Sequence, residues 1–278
     1  MAGTTPKARA LGAELRTARD AAGFSVRTLA TALDISHATL SRWETGDRSP
    51  KPEMVAAYLA KVDAPAELRS ELVELARNPD GPHWLSVGMP EQQRQLGALV
   101  DMESTATAMT TVAPNLVPGL LQTADYARAI MVAGNVTGSE IATRVAVRVG
   151  RREAIVRKNP VQMQAFIGEP VLMQTIGGAE VMADQLAKLL DFGQLPNVTI
   201  RVMPTRCEWH PGLEGPFLLM DFADQGPVVH LENRVSALFL HEPNDMQQYR
   251  DAAEAIAEAS MSEADSRELI AKLKEEKE

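Results

Sequence analysis

His37, Ala38 and Arg42 fall within one short stretch, and Leu40 and Trp43, three residues apart in the same stretch, mark its opposite, buried face. A guanidinium can make two parallel hydrogen bonds to a planar pair of acceptors, an imidazole can donate or accept one, and a bare methyl can pack on another methyl. Those are the groups that read the edges of base pairs. Ser25, Ser36 and Thr39 add hydroxyls where two short helices begin, and the helix N-termini add backbone N–H groups, the usual partners of phosphate oxygens. Arg48 and Lys51 follow and bring positive charge to neutralise a polyanion.

Chemistry of this kind needs short helices set at fixed angles, and the surrounding pattern supplies them. Leu11, Leu15, Ala18 and Ala22 recur at helical spacing, and Gly23 stops that helix. Ser25 caps a second helix, Val26 to Leu33, with Leu29, Ala30 and Leu33 facing inward. After the turn Asp34-Ile35, Ser36 caps the helix that carries His37 to Trp43, and Gly46 ends it. Pro50 and Pro52 open a further helix, Glu53 to Lys61, and Pro65 to Ala76 reads as another. The chain of 278 residues has a formal net charge of −9, but the charge is unevenly placed. Met1 to Val62 holds nine basic and six acidic residues, net +3, so the remainder carries −12. The basic module suits an anionic partner, and the acidic remainder faces something else.

Phe24-Ser25-Val26-Arg27-Thr28-Leu29-Ala30, then Ile35 to Gly46, then Arg48-Ser49-Pro50, resembles the XRE-type helix-turn-helix of phage-repressor-like regulators over about fifty residues. The resemblance implies an all-α, lambda-repressor-like domain that binds double-stranded DNA. It assigns the DNA-facing set as Ser25, Val26 and Arg27 on one helix, Ser36, His37, Ala38, Thr39, Ser41 and Arg42 on the next, and Arg48 and Lys51 beyond it. Val26 departs from the family, which often has Gln there touching the DNA backbone. Arg19 and Glu44 match a pair that forms a partly buried ion pair in similar domains. Small modules of this kind bind as dimers that read half-sites about one turn apart, so a homodimer is expected.

Asn78-Pro79-Asp80-Gly81-Pro82 is the clearest linker, and it divides a DNA-binding domain, 1–77, from a regulatory domain, 91–278, with 78–90 between them. Within the larger domain 91–158 reads as helical, 159–244 as sheet-containing and 245–278 as helical. Helices are expected over Pro90 to Thr105, Thr123 to Met131 and, basic in character, Glu140 to Arg157, with Ala113 to Gly119 as a stiff loop. Arg144, Arg148, Arg151, Arg152, Arg157 and Lys158 read as a solvated face that pairs with the acidic surroundings, with a second phosphate-facing patch as the alternative. Strands are expected at Met163 to Ile167, Val198 to Val202, Phe217 to Phe222, Val228 to Leu231 and Ala237 to Leu240. A helix, Ala179 to Phe192, lies between the first two, and helices over Asp245 to Ser260 and Glu263 to Lys274 close the chain. The fold class is α+β: a helical N-terminal domain, then a larger mixed α/β domain whose small sheet is covered by helices.

Val117 to Ala127, Pro196 to Ile200, His210 to Phe217 and Leu240 to Pro243 resemble the uncharacterised C-terminal domain of WhiJ-like actinobacterial regulators. That resemblance implies a regulator encoded beside a small acidic partner protein, for which an antitoxin-like pairing is the alternative reading. It implies repression rather than activation.

One cysteine, Cys207, excludes an internal disulfide and a multi-cysteine zinc site. Cys207, Glu208 and His210 stand close together, but their spacing matches no standard metal pattern. No glycine-rich phosphate loop precedes a helix, and Glu214 and Asp221 form no acid/base pair, so no enzyme, catalytic residue, metal or cofactor is expected. Trp209 and His210, in the loop Glu208 to Phe217, are the candidate contacts of a small-molecule ligand. The polar N-terminus and the short apolar runs predict a cytoplasmic protein with no membrane partner.

Overall fold

The structure is a computed structural model and describes residues 5–77, 83–87, 89–234 and 236–277. In chain order the elements are α1 (Pro6–Ala21), α2 (Val26–Ala32), α3 (His37–Glu44), α4 (Pro52–Lys61), α5 (Ala66–Leu75), β1 (His83–Val87), α6 (Met89–Thr105) and β2 (Ala108–Ala113). There follow α7 (Ala124–Ala133), α8 (Gly138–Gly150), α9 (Glu153–Val156), β3 (Gln162–Gly168), α10 (Glu169–Met173), α11 (Ala179–Phe192) and β4 (Val198–Met203). The chain ends with β5 (Phe217–Asp221), β6 (Val228–Glu232), β7 (Ser236–Leu240), α12 (Pro243–Ala259) and α13 (Glu263–Glu275). It divides into two compact units, Met1–Met102 with Asp224–Val228 and Glu232–Pro243, and Glu103–Ala223 with Val229–Leu231 and Asn244–Glu278.

In the first unit α1 to α5 close on Leu11, Leu15, Leu29, Leu40, Trp43, Tyr58 and Leu72, all buried. Three of the helices begin on hydroxyl caps: Thr5, Ser25 and Ser36 accept from the N–H groups of Ala8, Thr28 and Thr39. The C-terminal half of α6 adds buried Ala98, Leu99 and Met102, and its Asp101 takes Arg16 at 2.9 Å and Arg9 at 3.9 Å from α1. β1 pairs antiparallel with β7, His83 opposite Leu240.

In the second unit the strands run β6-β5-β2-β3-β4, with β2, β3 and β4 parallel and β5 antiparallel to β2. Helices α7 to α9 make the crossover from β2 to β3, and α10 and α11 make the one from β3 to β4, as parallel strands require. Phe166, Ile167, Val171, Leu186 and Val202 are buried where these layers meet. The outer edge of β4 is closed: Val202 N–H donates to Ser266 Oγ, and Met261 N–H donates to the Val202 carbonyl. Arg201 ties the same turn down by donating to the carbonyls of Ala257, Ser260 and Met261. At Val202 the edge is thus taken up within the chain.

The α+β class holds, with two strands that the sequence pattern does not announce. β1 lies in the stretch read as linker, of which residues 78–82 and 88 are outside the described residues, and β2 lies in the stretch read as helical. The expected helix Glu140 to Arg157 is broken at Arg151 and Arg152 into α8 and α9.

The basic run of that region does pair with acidic neighbours, but it is solvated only in part. Arg151 makes a bidentate pair with Glu103 at 2.6 and 2.7 Å, and Arg148 and Arg152 donate to the side chain and carbonyl of Gln122. Arg157 donates to the carbonyls of Ser104, Ala106 and Asn159. Arg144, paired with Glu140 one helical turn away, and Lys158 keep to the surface. The remaining guanidiniums clip the crossover segment to the end of α6 and the residues before β2, through Arg151 and Arg157, and to Gln122 after β2, through Arg148 and Arg152.

His230 on β6 is buried, and burial, aided by the charge of Arg151, lowers its pKa to about 4. The unfolded chain, with its imidazole at 6.5, binds more protons than the folded protein between those values. Stability from this group is therefore complete above about pH 6.5 and is lost as the pH falls toward 4. Going from pH 7 to pH 5 is expected to cost roughly 2 kcal/mol through His230. Urea midpoints at the two pH values measure it, and His230→Gln should remove that part of the slope; an unchanged slope would refute the assignment. Among the described residues no helix is long and apolar enough to cross a membrane.

Candidate nucleic-acid interface

α3 is held from three sides. Leu40 and Trp43 enter the core, and Gly12 lets the backbone of α1 pass so close that a Cβ there would lie 2.5 Å from the Trp43 carbonyl oxygen. Gly46, just beyond α3, sits at φ +77, and a Cβ on it would meet Arg9 Cα at 2.8 Å. Glycine is required at that turn on both counts. The third hold is polar: Arg19 Nε and Nη2 donate to the two oxygens of Glu44 at 2.7 and 2.8 Å. Tyr58 Oη donates to Glu44 Oε1 at 2.6 Å and lies 2.9 Å from the Leu15 carbonyl oxygen. The hydrogen bond to Glu44 raises the pKa of Arg19, and burial raises that of Tyr58, so both keep their protons. The expected Arg19–Glu44 pair is present, with Tyr58 as a third member read from the sequence only as packing.

The turn between α2 and α3 is four residues long, and its left-handed position falls to Asp34 at φ +54, a residue that tolerates this region. That turn and the three holds present the outer face of α3 to solvent: His37, Ala38, Ser41 and Arg42 are all exposed. Ser25 and Arg27 at the start of α2, and Arg48 and Lys51 after α3, are exposed as well, while Val26 and Thr39 are partly covered. Among the described residues Arg27, Arg42, Arg48 and Lys51 take no part in the ion pairs of this unit. Four guanidinium and ammonium groups on one small module are thus uncommitted, in contrast to the spent arginines of α8 and α9. Ser25 Oγ and Ser36 Oγ are already occupied as caps, which leaves their helix N-termini ordered and the next N–H groups pointing outward.

The second pair of candidates separates. Trp209 is 69% exposed, whereas His210 is buried and accepts the Gly212 N–H on Nδ1 at 3.2 Å. Cys207 is exposed and its thiol donates to the Pro204 carbonyl. Among the described residues no three His, Cys, Asp or Glu side chains converge as metal ligands.

The sequence pattern of a helix-turn-helix domain matches residues 10–72, and that of a domain of unknown function, DUF5753, matches residues 96–272. A comparison with curated proteins finds no match. Among solved structures the chain is similar to "Structure of TrmBL2, an archaeal chromatin protein, shows a novel mode of DNA binding", at 14% identity and a TM-score of 0.33 over 76% of this chain. The chain spans 65% of that structure's length, and at such a score the likeness carries no argument about fold or function.

Proposed function

The chain belongs to the family of the domain of unknown function DUF5753 and carries a helix-turn-helix domain ahead of it, and from this we propose that it is a sequence-specific transcriptional regulator. It acts as a repressor, binds two half-sites as a homodimer, and receives a signal through its C-terminal domain from a small ligand or a small protein partner. One observation carries the reading: α3 is locked by Leu40, Trp43 and Glu44 on its inner side while His37, Ala38, Ser41 and Arg42 stand free on the outer. A helix so presented, capped and preceded by a four-residue turn, enters a major groove by its N-terminal part. Arg42 reaches a guanine edge, His37 a neighbouring base and Ala38 a thymine methyl. Arg27, Arg48 and Lys51 meet phosphates on either side.

Selection of sites from a random duplex library with the full chain tests the proposal, and a two-fold symmetric motif is the expected product. On that motif Arg42→Ala should cost about 1 to 3 kcal/mol and relax base preference at one position per half-site. Lys51→Ala should weaken all sequences alike and lower the salt slope by about one. Uniform losses from both variants would remove α3 from the role of recognition helix, and no enrichment at all would remove the DNA-binding reading.

A further inference from the structure

The outer edge of β4 is closed at Val198 and at Val202 and open between them. In a parallel pair alternate residues of the edge strand bond to the neighbour, and the Asn197 carbonyl accepts from Met163 N–H at 2.8 Å on the β3 side. Val202 belongs to the other set: its N–H donates to Ser266 Oγ at 2.9 Å and its carbonyl accepts from Met261 N–H at 2.9 Å. Val198 N–H, in the same outer set, donates to the Leu195 carbonyl at 3.1 Å. Ile200 lies midway between these two, so its N–H and its carbonyl also point away from β3. Neither meets a partner among the described residues, although Ile200 is only 6% exposed. Backbone groups so covered are almost always paired. One rung of a ladder is missing there.

Ile200 also lines a cavity of about 300 Å³. Leu189, Leu190 and Gly193 at the end of α11 and Ile270 of α13 make its other walls, and Glu263 and Arg267, one helical turn apart on α13, complete it. Both charged residues are exposed, and among the described residues neither side chain takes part in a hydrogen bond or an ion pair. A main-chain donor and acceptor, apolar walls, a free guanidinium and a free carboxylate therefore border one space. The N–H and carbonyl of one extended residue are matched by the N–H and carbonyl of another, as in an antiparallel pair. Leu195, Ser266 and Met261 already occupy the positions on either side, so a long strand finds nothing further to pair with. A carboxylate suits Arg267 and an ammonium suits Glu263, and a short peptide with free ends carries both.

We propose that the cavity between α11, β4 and α13 binds a short free peptide with apolar side chains. One of its residues forms the missing rung with Ile200, its side chains lie on Leu189, Leu190 and Ile270, its carboxylate meets Arg267 and its ammonium meets Glu263. This deepens the signal-receiving role given above to the C-terminal domain, and it does not depend on DNA being bound.

The full chain, labelled with nitrogen-15, is titrated with trileucine. A saturable shift of the Ile200 amide signal is expected, with slower exchange of that proton for deuterium. Methylation of the central peptide nitrogen of the ligand removes the donor to the Ile200 carbonyl and should weaken binding at least about tenfold. Arg267→Gln should weaken trileucine by a similar factor and leave the affinity of its C-terminal amide unchanged. Arg267 is exposed, so the variant keeps the fold, and a thermal melt checks this; the free and amidated peptides compared on the parent chain decide if it does not. Absence of a saturable shift, or equal affinity of the methylated peptide, overturns the site. Equal affinity of the free and amidated peptides for the parent overturns the ligand class. A decapeptide with the same leucines at its centre that binds as well assigns the cavity to a segment of a partner protein and overturns the short peptide. Operator binding is measured apart, so a chain that takes trileucine but no DNA leaves the site standing and removes the regulator.

Discussion

Glu44→Ala is expected to cost the N-terminal unit about 3 to 5 kcal/mol, a large part of what a domain of this size has, and to take DNA binding with it. The substitution does not simply delete an ion pair. It leaves Nε and Nη2 of the Arg19 guanidinium, 7% exposed, without the carboxylate that takes its fork, with only Asp20 and the Phe24 carbonyl still on Nη1, and it strips the Tyr58 hydroxyl of its closest partner. Both groups would then be buried with their strongest partner gone and only part of their hydrogen bonding met, by Asp20, the Phe24 carbonyl and the Leu15 carbonyl, which costs more than the intact pair contributed. Because Glu44 is the last residue of α3, the released arginine and tyrosine pull on the helix that presents His37 and Arg42. Unfolding followed by amide exchange in α1 to α4, together with operator affinity, gives the readout. The triple replacement Arg19→Met, Glu44→Leu, Tyr58→Phe removes all three polar groups and should recover most of the lost stability. If Glu44→Ala unfolds at the same denaturant concentration as the parent, the network is not what holds α3.

How much of this was legible in the sequence depends on the range of the interaction. The helix-turn-helix could be read because its signals are local: Ser25 and Ser36 cap N–H groups three residues on, Leu40 and Trp43 share a face, and Gly46 marks a left-handed turn. Tyr58 could not be placed beside Glu44 and Leu15, since nothing in the local pattern of α4 distinguishes a packed tyrosine from one that closes a polar network. β2 escaped for a similar reason. Thr110, Thr111 and Val112 favour a strand, but the segment is only six residues long with alanine at both ends and follows a helical pattern, and its place between β3 and β5 comes from distant parts of the chain. The arginines of α8 and α9 were visible as charge, but their destinations, Glu103, Gln122 and the carbonyls near Ala106, come from distant segments. Trp209 and His210 stand out by loop composition alone, and the structure distinguishes them, one exposed and one buried.

Glu103→Ala is expected to cost the C-terminal unit about 3 to 5 kcal/mol by the same physics on different ground. Glu103 is 2% exposed and holds Arg151 with both oxygens, at the point where the crossover helices break between α8 and α9. Removing the carboxylate leaves a guanidinium that cannot lose its charge in a site with little water, beside His230, whose protonation that charge already opposes. Removal of both charges is a different matter. Glu103→Leu with Arg151→Met replaces the pair by apolar groups of similar volume, and should fall within about 1 to 2 kcal/mol of the parent because the desolvation cost of the pair disappears with it. The double replacement carries a second expected result: with the Arg151 charge gone, the pKa of His230 rises part of the way back toward 6.5, and the acid slope of stability becomes shallower. Urea unfolding of the single and double variants at pH 7 and pH 5 reads both effects at once. A double variant as unstable as Glu103→Ala would show that the pair holds the break between α8 and α9 by its geometry rather than by the balance of its charges.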